Sequence, residues 1–242
     1  MFYYLLTPIM KFNIILILSA IIPAVFLMVR IYRKDKLEKE NGRFLWNLVK
    51  AGIFSSLIAM LSEKILVTIL GRILDPSSEI YRILLYFLVV GISEEGAKYY
   101  LLKKNSWNSP EFNCIFDGVI YAVFVSLGFA LWENISYVLN FGLPTAIVRA
   151  ITAIPGHAAF GVFMGIFYSA AKMYEIYGDG IASSRYRVLA LLVPILLHGL
   201  YDYIATLQVF TENYLFMIFI ALLFIAANYV VSKVSKYDRY IA

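Results

Sequence analysis

The stretch YRILLYFLVVGISEEGAKYYLL, residues 81–102, is long and apolar enough to cross a bilayer, yet it carries Glu94, Glu95 and Lys98. An ionisable side chain at mid-bilayer depth costs at least ~2.5 kcal/mol on the most lenient insertion scale, so three together persist only where they pair or line a wet cavity. The segment reads as a membrane helix turned toward the inside of a bundle. The rest of that bundle must come from other apolar segments.

Composition agrees. The chain is 62% hydrophobic and 15% charged, whereas a soluble domain is about half apolar and about a quarter charged. Six further apolar runs, at 11–29, 45–70, 113–140, 144–172, 187–207 and 213–232, bring the expected spans to seven. They leave no room for a separate extramembrane domain, so residues 1–242 read as one transmembrane domain, an all-α polytopic membrane bundle. Lys and Arg concentrate in alternate linkers: Arg30 to Arg43, Lys103 and Lys104, Lys172 to Arg187, and the tail from Lys233. Basic linkers stay cytoplasmic. The expected topology is N-terminus outside and C-terminus cytoplasmic. The sequence pI of ≈ 9.1 therefore reports topology and not a nucleic-acid partner. The first span lacks the basic start and small-residue cleavage site of a signal peptide. Cys114, the one cysteine, reads as packing.

Depth groups the polar residues. At 1.5 Å per residue, Glu94 and His157 fall roughly 20 Å from the outer end of their spans, His198 about 13 Å and Glu133 about 10 Å. Helical spacing refines the grouping. Lys98 lies four residues after Glu94 and three after Glu95, so it can neutralise either acid, while the acids themselves point about 100° apart. His198 and Asp202 share one helix face, which suits a carboxylate that orients an imidazole. Ala153, Gly161 and Gly165 recur at four-residue spacing through His157 and mark a face that another helix approaches closely. Pro155 and Pro194 each disturb a helix near a histidine. Glu133 is a proton acceptor, a metal ligand or the ion-pair partner of Arg149, and Asn134 is a donor for a developing oxyanion. Glu63 and Lys64 read as a local interfacial pair outside the site.

Several hydrolytic chemistries are excluded. Neither histidine has the other four residues away, which removes the His-Glu-x-x-His zinc proteases. Gly-x-Ser-x-Gly is absent, and Asp117 and Asp202 lie toward opposite faces of the membrane, too far apart for an aspartyl dyad. Water activated by glutamate and histidine remains. Glu94 or Glu95 is then the base, His157 positions the water, His198 and Asn134 stabilise the oxyanion, and Glu133 is the acid toward the leaving amine. That version needs no cofactor. A rival version places Zn²⁺ among His157, His198 and Glu133. Proton- or ion-coupled transport and a non-catalytic membrane scaffold also use buried acids; no internal repeat of the kind many transporters show is visible here.

Glu94-Glu95-Gly-Ala-Lys98, Phe129-x-x-x-Glu133-Asn134-x-x-Tyr137, Pro155-Gly156-His157 and His198-Gly-Leu-Tyr-Asp202 occur in the order of the motifs of the PrsW intramembrane proteases, which the chain resembles from about residue 80 to 205. That family is distantly similar to the type II CAAX prenyl endopeptidases. The resemblance implies site-1 cleavage of a single-pass anti-sigma factor on its extracytoplasmic side, releasing a sigma factor for stress responses. Relative to the prenyl endopeptidases, Lys98 falls one place short of their arginine, Glu133 replaces a histidine and Asp202 an asparagine. These departures argue against a prenylated substrate.

Overall fold

The computed structural model describes residues 2–207 and 214–241, with side chains from Ile14 onward. The described chain forms α1 (Phe2–Lys34), α2 (Gly42–Ile73), α3 (Glu79–Leu84), a π-helical segment (Leu85–Val90), α4 (Gly91–Ser106), α5 (Ile115–Phe141), α6 (Leu143–Ile151), α7 (Ala153–Ile176), α8 (Gly180–Thr206) and α9 (Tyr214–Lys236). The expected all-α bundle forms. Among the described residues, six stretches are long and apolar enough to span a membrane: Ile14–Lys34, Gly42–Ile73, Ile115–Phe141, Leu143–Ile176, Gly180–Thr206 and Tyr214–Lys236.

Two expected spans take a different form. The segment at 81–102 is too charged to count among those six, and it is assembled from α3, the π segment and α4. Its acids are compensated inside the protein, so apolar length is not what places it there. The span expected at 144–172 divides at Thr152, whose φ of −120° and ψ of −75° end α6 and start α7. Pro155 thus falls in the first turn of α7, where its missing N–H costs no helical bond. The expected start of the last span, residue 213, lies outside the described residues.

α5 is the axis of the bundle. Every residue from Phe116 to Ala130 is buried, and a helix apolar on all sides is one that other helices enclose. Two crossings set its neighbours. A Cβ on Gly128 would stand 2.4 Å from the Val49 carbonyl oxygen, and one on Gly52 2.1 Å from that of Val125, so α2 and α5 touch backbone to backbone. On the other side Gly165 meets the Gly118 carbonyl, where a Cβ would lie at 2.5 Å. The small-residue face of α7 expected from sequence is therefore the α5 contact, as helix association without a hydrophobic drive requires.

The N-terminus of α5 is closed by acids. Asp117 Oδ2 accepts from the backbone N–H of Cys114 at 2.6 Å and of Asn113 at 2.9 Å, and Asp238 Oδ1 accepts from that of Phe116 at 2.9 Å. Both carboxylates satisfy orphan donors at the positive end of the helix dipole. The chain after α9 continues the closure, with Ile115 N–H on the Arg239 carbonyl (3.1 Å) and Ile241 N–H on the Asn113 carbonyl (2.7 Å). Cys114 is buried beneath this lid, and burial pushes its thiol up to about 12, which leaves it a packing group.

Glu40 lies just before α2, 5% exposed. Burial, with the Asp117 charge nearby, pushes its carboxyl up to about 9 from an ordinary 4.5. The folded protein keeps this proton where the unfolded chain has released it, so stability is fullest below about pH 4.5 and declines as pH rises toward 9. Glu40→Gln removes that decline. The variant should melt a few degrees above the parent at pH 8 and match it more closely at pH 5, as measured by thermal unfolding in detergent.

Candidate active site

Three helices converge on the Lys98 ammonium. Lys98 Nζ donates to Glu95 Oε1 at 2.7 Å and to Glu94 Oε2 at 3.1 Å within α4, and lies 3.2 Å from His157 Nδ1 on α7. The fourth side is the Phe129 ring of α5, whose centroid is 3.8 Å away. The lysine side chain is 0% exposed. An ammonium has only protons to give, so Nδ1 of His157 must be the acceptor. That assignment fixes the rest of the ring: Nε2 carries the hydrogen and donates to Glu133 Oε2 at 2.9 Å. The His157 carbonyl accepts from Ser126 Oγ at 2.6 Å, which ties this turn of α7 to α5.

α8 joins through Glu95. His198 Nδ1 donates to Glu95 Oε1 at 2.8 Å, and Nε2 faces Asp202 Oδ2 at 3.5 Å. Its ring stacks on Phe160 at 4.9 Å and meets His157 edge-on at 5.4 Å. Glu95 is the nearer carboxylate to this imidazole, and Asp202 is the second. One oxygen of Glu95 therefore receives both Lys98 and His198.

The two adjacent acids separate in role, as their angular offset on a helix demands. Glu95 is 0% exposed and engaged with α8, whereas Glu94 lines a cavity of about 240 Å³ together with Glu63, Glu133, Phe129, Trp132 and Tyr137. Glu63, read from the sequence as part of an interfacial pair, belongs to this cavity. Its apolar helix gave no sign of facing Glu94; only its depth relative to the other acids could have suggested it.

Glu133 and Arg149 pair at 2.9 Å, and the guanidinium also lies over the Tyr137 ring at 4.1 Å. The ion-pair reading of Glu133 and its link to the histidine site both hold in the geometry. Asn134 differs from expectation. Its amide donates to the Ala20 carbonyl of α1 at 2.8 Å and its oxygen accepts from Arg149 Nε at 2.9 Å, with no surface exposed. A side chain occupied in this way holds α1 and α6 to α5, and it does not line the cavity where an oxyanion would form.

Comparison with known proteins gives the arrangement its context. The family model described as "PrsW family intramembrane metalloprotease" matches residues 40–227. The chain is 35% identical over 197 residues to Protease PrsW of Clostridioides difficile, covering 80% of each chain. It is 31% identical over 226 residues to Protease PrsW of Halalkalibacterium halodurans, covering 93% of this chain and 99% of that one. Over 120 residues, half of this chain, it is 38% identical to Protease PrsW of Bacillus subtilis. No solved structure matches. The chain belongs to the PrsW family, and it is an intramembrane protease, a multi-pass protein of the bacterial membrane.

The family description raises the question of a metal. Glu94, Glu95 and His157 present donor atoms that all lie within 4.8 Å of one another, and these are ligand types zinc accepts. The same three side chains already hold the Lys98 ammonium, so as arranged they do not fit an additional ion. Nor does the set of His157, His198 and Glu133 considered from sequence. His157 gives one nitrogen to Lys98 and the other to Glu133, and His198 turns its own to Glu95 and Asp202.

The geometry separates Glu95 from Glu94 in stability. Glu95→Gln leaves a buried ammonium without its closest partner, a loss of about 3–5 kcal/mol. Glu94→Gln, on the cavity wall, should cost much less. Thermal unfolding of the two purified variants in detergent checks the order; equal losses would contradict it.

Proposed function

We propose that this protease makes the first, extracytoplasmic cut in a single-pass anti-sigma factor, with Glu94 as the general base. One observation carries the catalytic assignment: of two adjacent acids, Glu94 alone lines the cavity, while Glu95 is spent on Lys98 and His198. Family membership supports a protein substrate held in the membrane. The alternating basic linkers support a site nearer the outer leaflet. A cytoplasmic prenylated tail would approach from the opposite side.

The reaction requires three tasks. Glu94 removes a proton from a water in the cavity, and the oxygen forms a bond to the scissile carbonyl carbon. Lys98, 3.1 Å from Glu94, supplies the positive charge that keeps this acid and its neighbour compatible in one site. The oxyanion role considered for Asn134 passes to Arg149, the guanidinium beside the cavity. A fixed cation is suited to a charge that develops only in the transition state. Glu133, held by His157 and Arg149, lines the same cavity. When the C–N bond breaks, the proton taken up by Glu94 returns to the leaving amine. His157 acts by holding Glu133 and Lys98 in register, and His198 by holding Glu95.

The test pairs the chain with candidate anti-sigma factors in a host that lacks related proteases. Intact protein should yield a membrane-retained fragment cut on the outer side, and Glu94→Gln should lower its rate of appearance by ~10²–10⁴, the range for loss of a general base. Undiminished cleavage by Glu94→Gln would remove that residue from the base role. A fragment cut on the cytoplasmic side would remove the topology.

A further inference from the structure

A lysine ammonium carries three N–H donors and no acceptor, and in this site the three have three partners. Glu94 Oε2, Glu95 Oε1 and His157 Nδ1 lie at 3.1, 2.7 and 3.2 Å from Lys98 Nζ. The remaining direction is closed by the face of Phe129 at 3.8 Å, a contact that favours a cation. No part of the side chain reaches the surface. The coordination is complete, and it is provided by the three side chains whose donor atoms cluster closely enough to ligate a metal ion.

We propose that Lys98 is the resident cation of this site, a covalently attached ammonium standing where the surrounding donors would otherwise gather a divalent ion. Truncation of its side chain to alanine, which removes the charge and opens the space, would turn the site into a zinc site. The inference depends on the cluster described above and not on the identity of the protein substrate. Its readout is bound metal, so its failure is distinguishable from failure of the anti-sigma assignment.

Two carboxylates facing one imidazole with no cation between them repel each other in a medium of low dielectric. Deleting the lysine therefore creates a demand for positive charge as well as the space for it. A methionine in its place fills that space without supplying charge; an alanine leaves it open. The two substitutions thus separate the need for volume from the need for a cation.

Full-length protein, Lys98→Ala and Lys98→Met are expressed with and without added zinc, purified in detergent, equilibrated with Zn²⁺ and desalted. Bound zinc is counted by atomic emission, and melting is followed with Zn²⁺ or with a chelator. The parent should hold no stoichiometric zinc and melt at the same temperature in both. Lys98→Ala should retain close to one zinc per chain and melt higher with Zn²⁺ than with chelator, and Lys98→Ala/His157→Ala should lose both gains. Lys98→Met should bind far less. Should Lys98→Ala fold only when cells are given zinc, that rescue supports the inference equally. One equivalent of zinc in the parent, lost on His157→Ala, would overturn it; so would a Lys98→Ala protein that neither binds zinc nor is rescued by it.

Discussion

A charge that leaves water must find its hydration again inside the protein, and Lys98 finds it in three side chains from two helices, closed over by an aromatic ring from a third. Everything else in the site follows from that requirement. Because the ammonium can only donate, His157 is held in one tautomer, Glu133 is given a donor to accept from, and Arg149 is drawn to the same carboxylate. Glu95, the acid closest to the ammonium, also accepts from an imidazole of α8. Glu94 remains the acid with a wall of cavity before it. Two neighbouring residues of one type thus acquire separate duties from the position of a single cation.

Such a network demands rigid supports, and α5 supplies them. Its contacts with α2 and α7 run through glycines at backbone distance, which leaves little freedom for either neighbour to slide or turn. The consequence reaches the chemistry through Ser126, which holds the backbone of His157, and Phe129, which closes the ammonium cage. Both belong to the helix that also carries Glu133. Packing and catalysis share one scaffold here, so the distances in the site are inherited from helix contacts made a turn or two away.

Much of this could be read from the residues. Charges inside apolar segments mark an interior, and the spacing of Glu94, Glu95 and Lys98 gives their pairing on one helix. The glycine face of α7 is a period-four pattern, and it does face another helix. What spacing could not supply was aim. Glu94 and Glu95 are equivalent in sequence until α8 is placed, since it is His198 that claims Glu95. Asn134 looked available because its partners, Ala20 and Arg149, come from 114 residues upstream and 15 downstream. Glu63 looked peripheral because the cavity it lines exists only where α4 and α5 pack against α2, which its own helix does not predict. The division at Thr152 was equally hidden: the backbone turns there through dihedrals that a continuous apolar run does not announce.

The wide turns from Leu85 to Val90 have a consequence for inheritance of the site. They bring the backbone beside α8, where Gly199 presents no side chain to Phe87, and α4 begins only after them. A residue gained or lost in a helix rotates all that follows by about 100°, while a π segment is a place where such a change is absorbed locally. The compass bearing of the acid pair is thus stored upstream of it, as a length of main chain. Relatives could keep identical acids and still point them elsewhere by altering this one stretch of apolar residues.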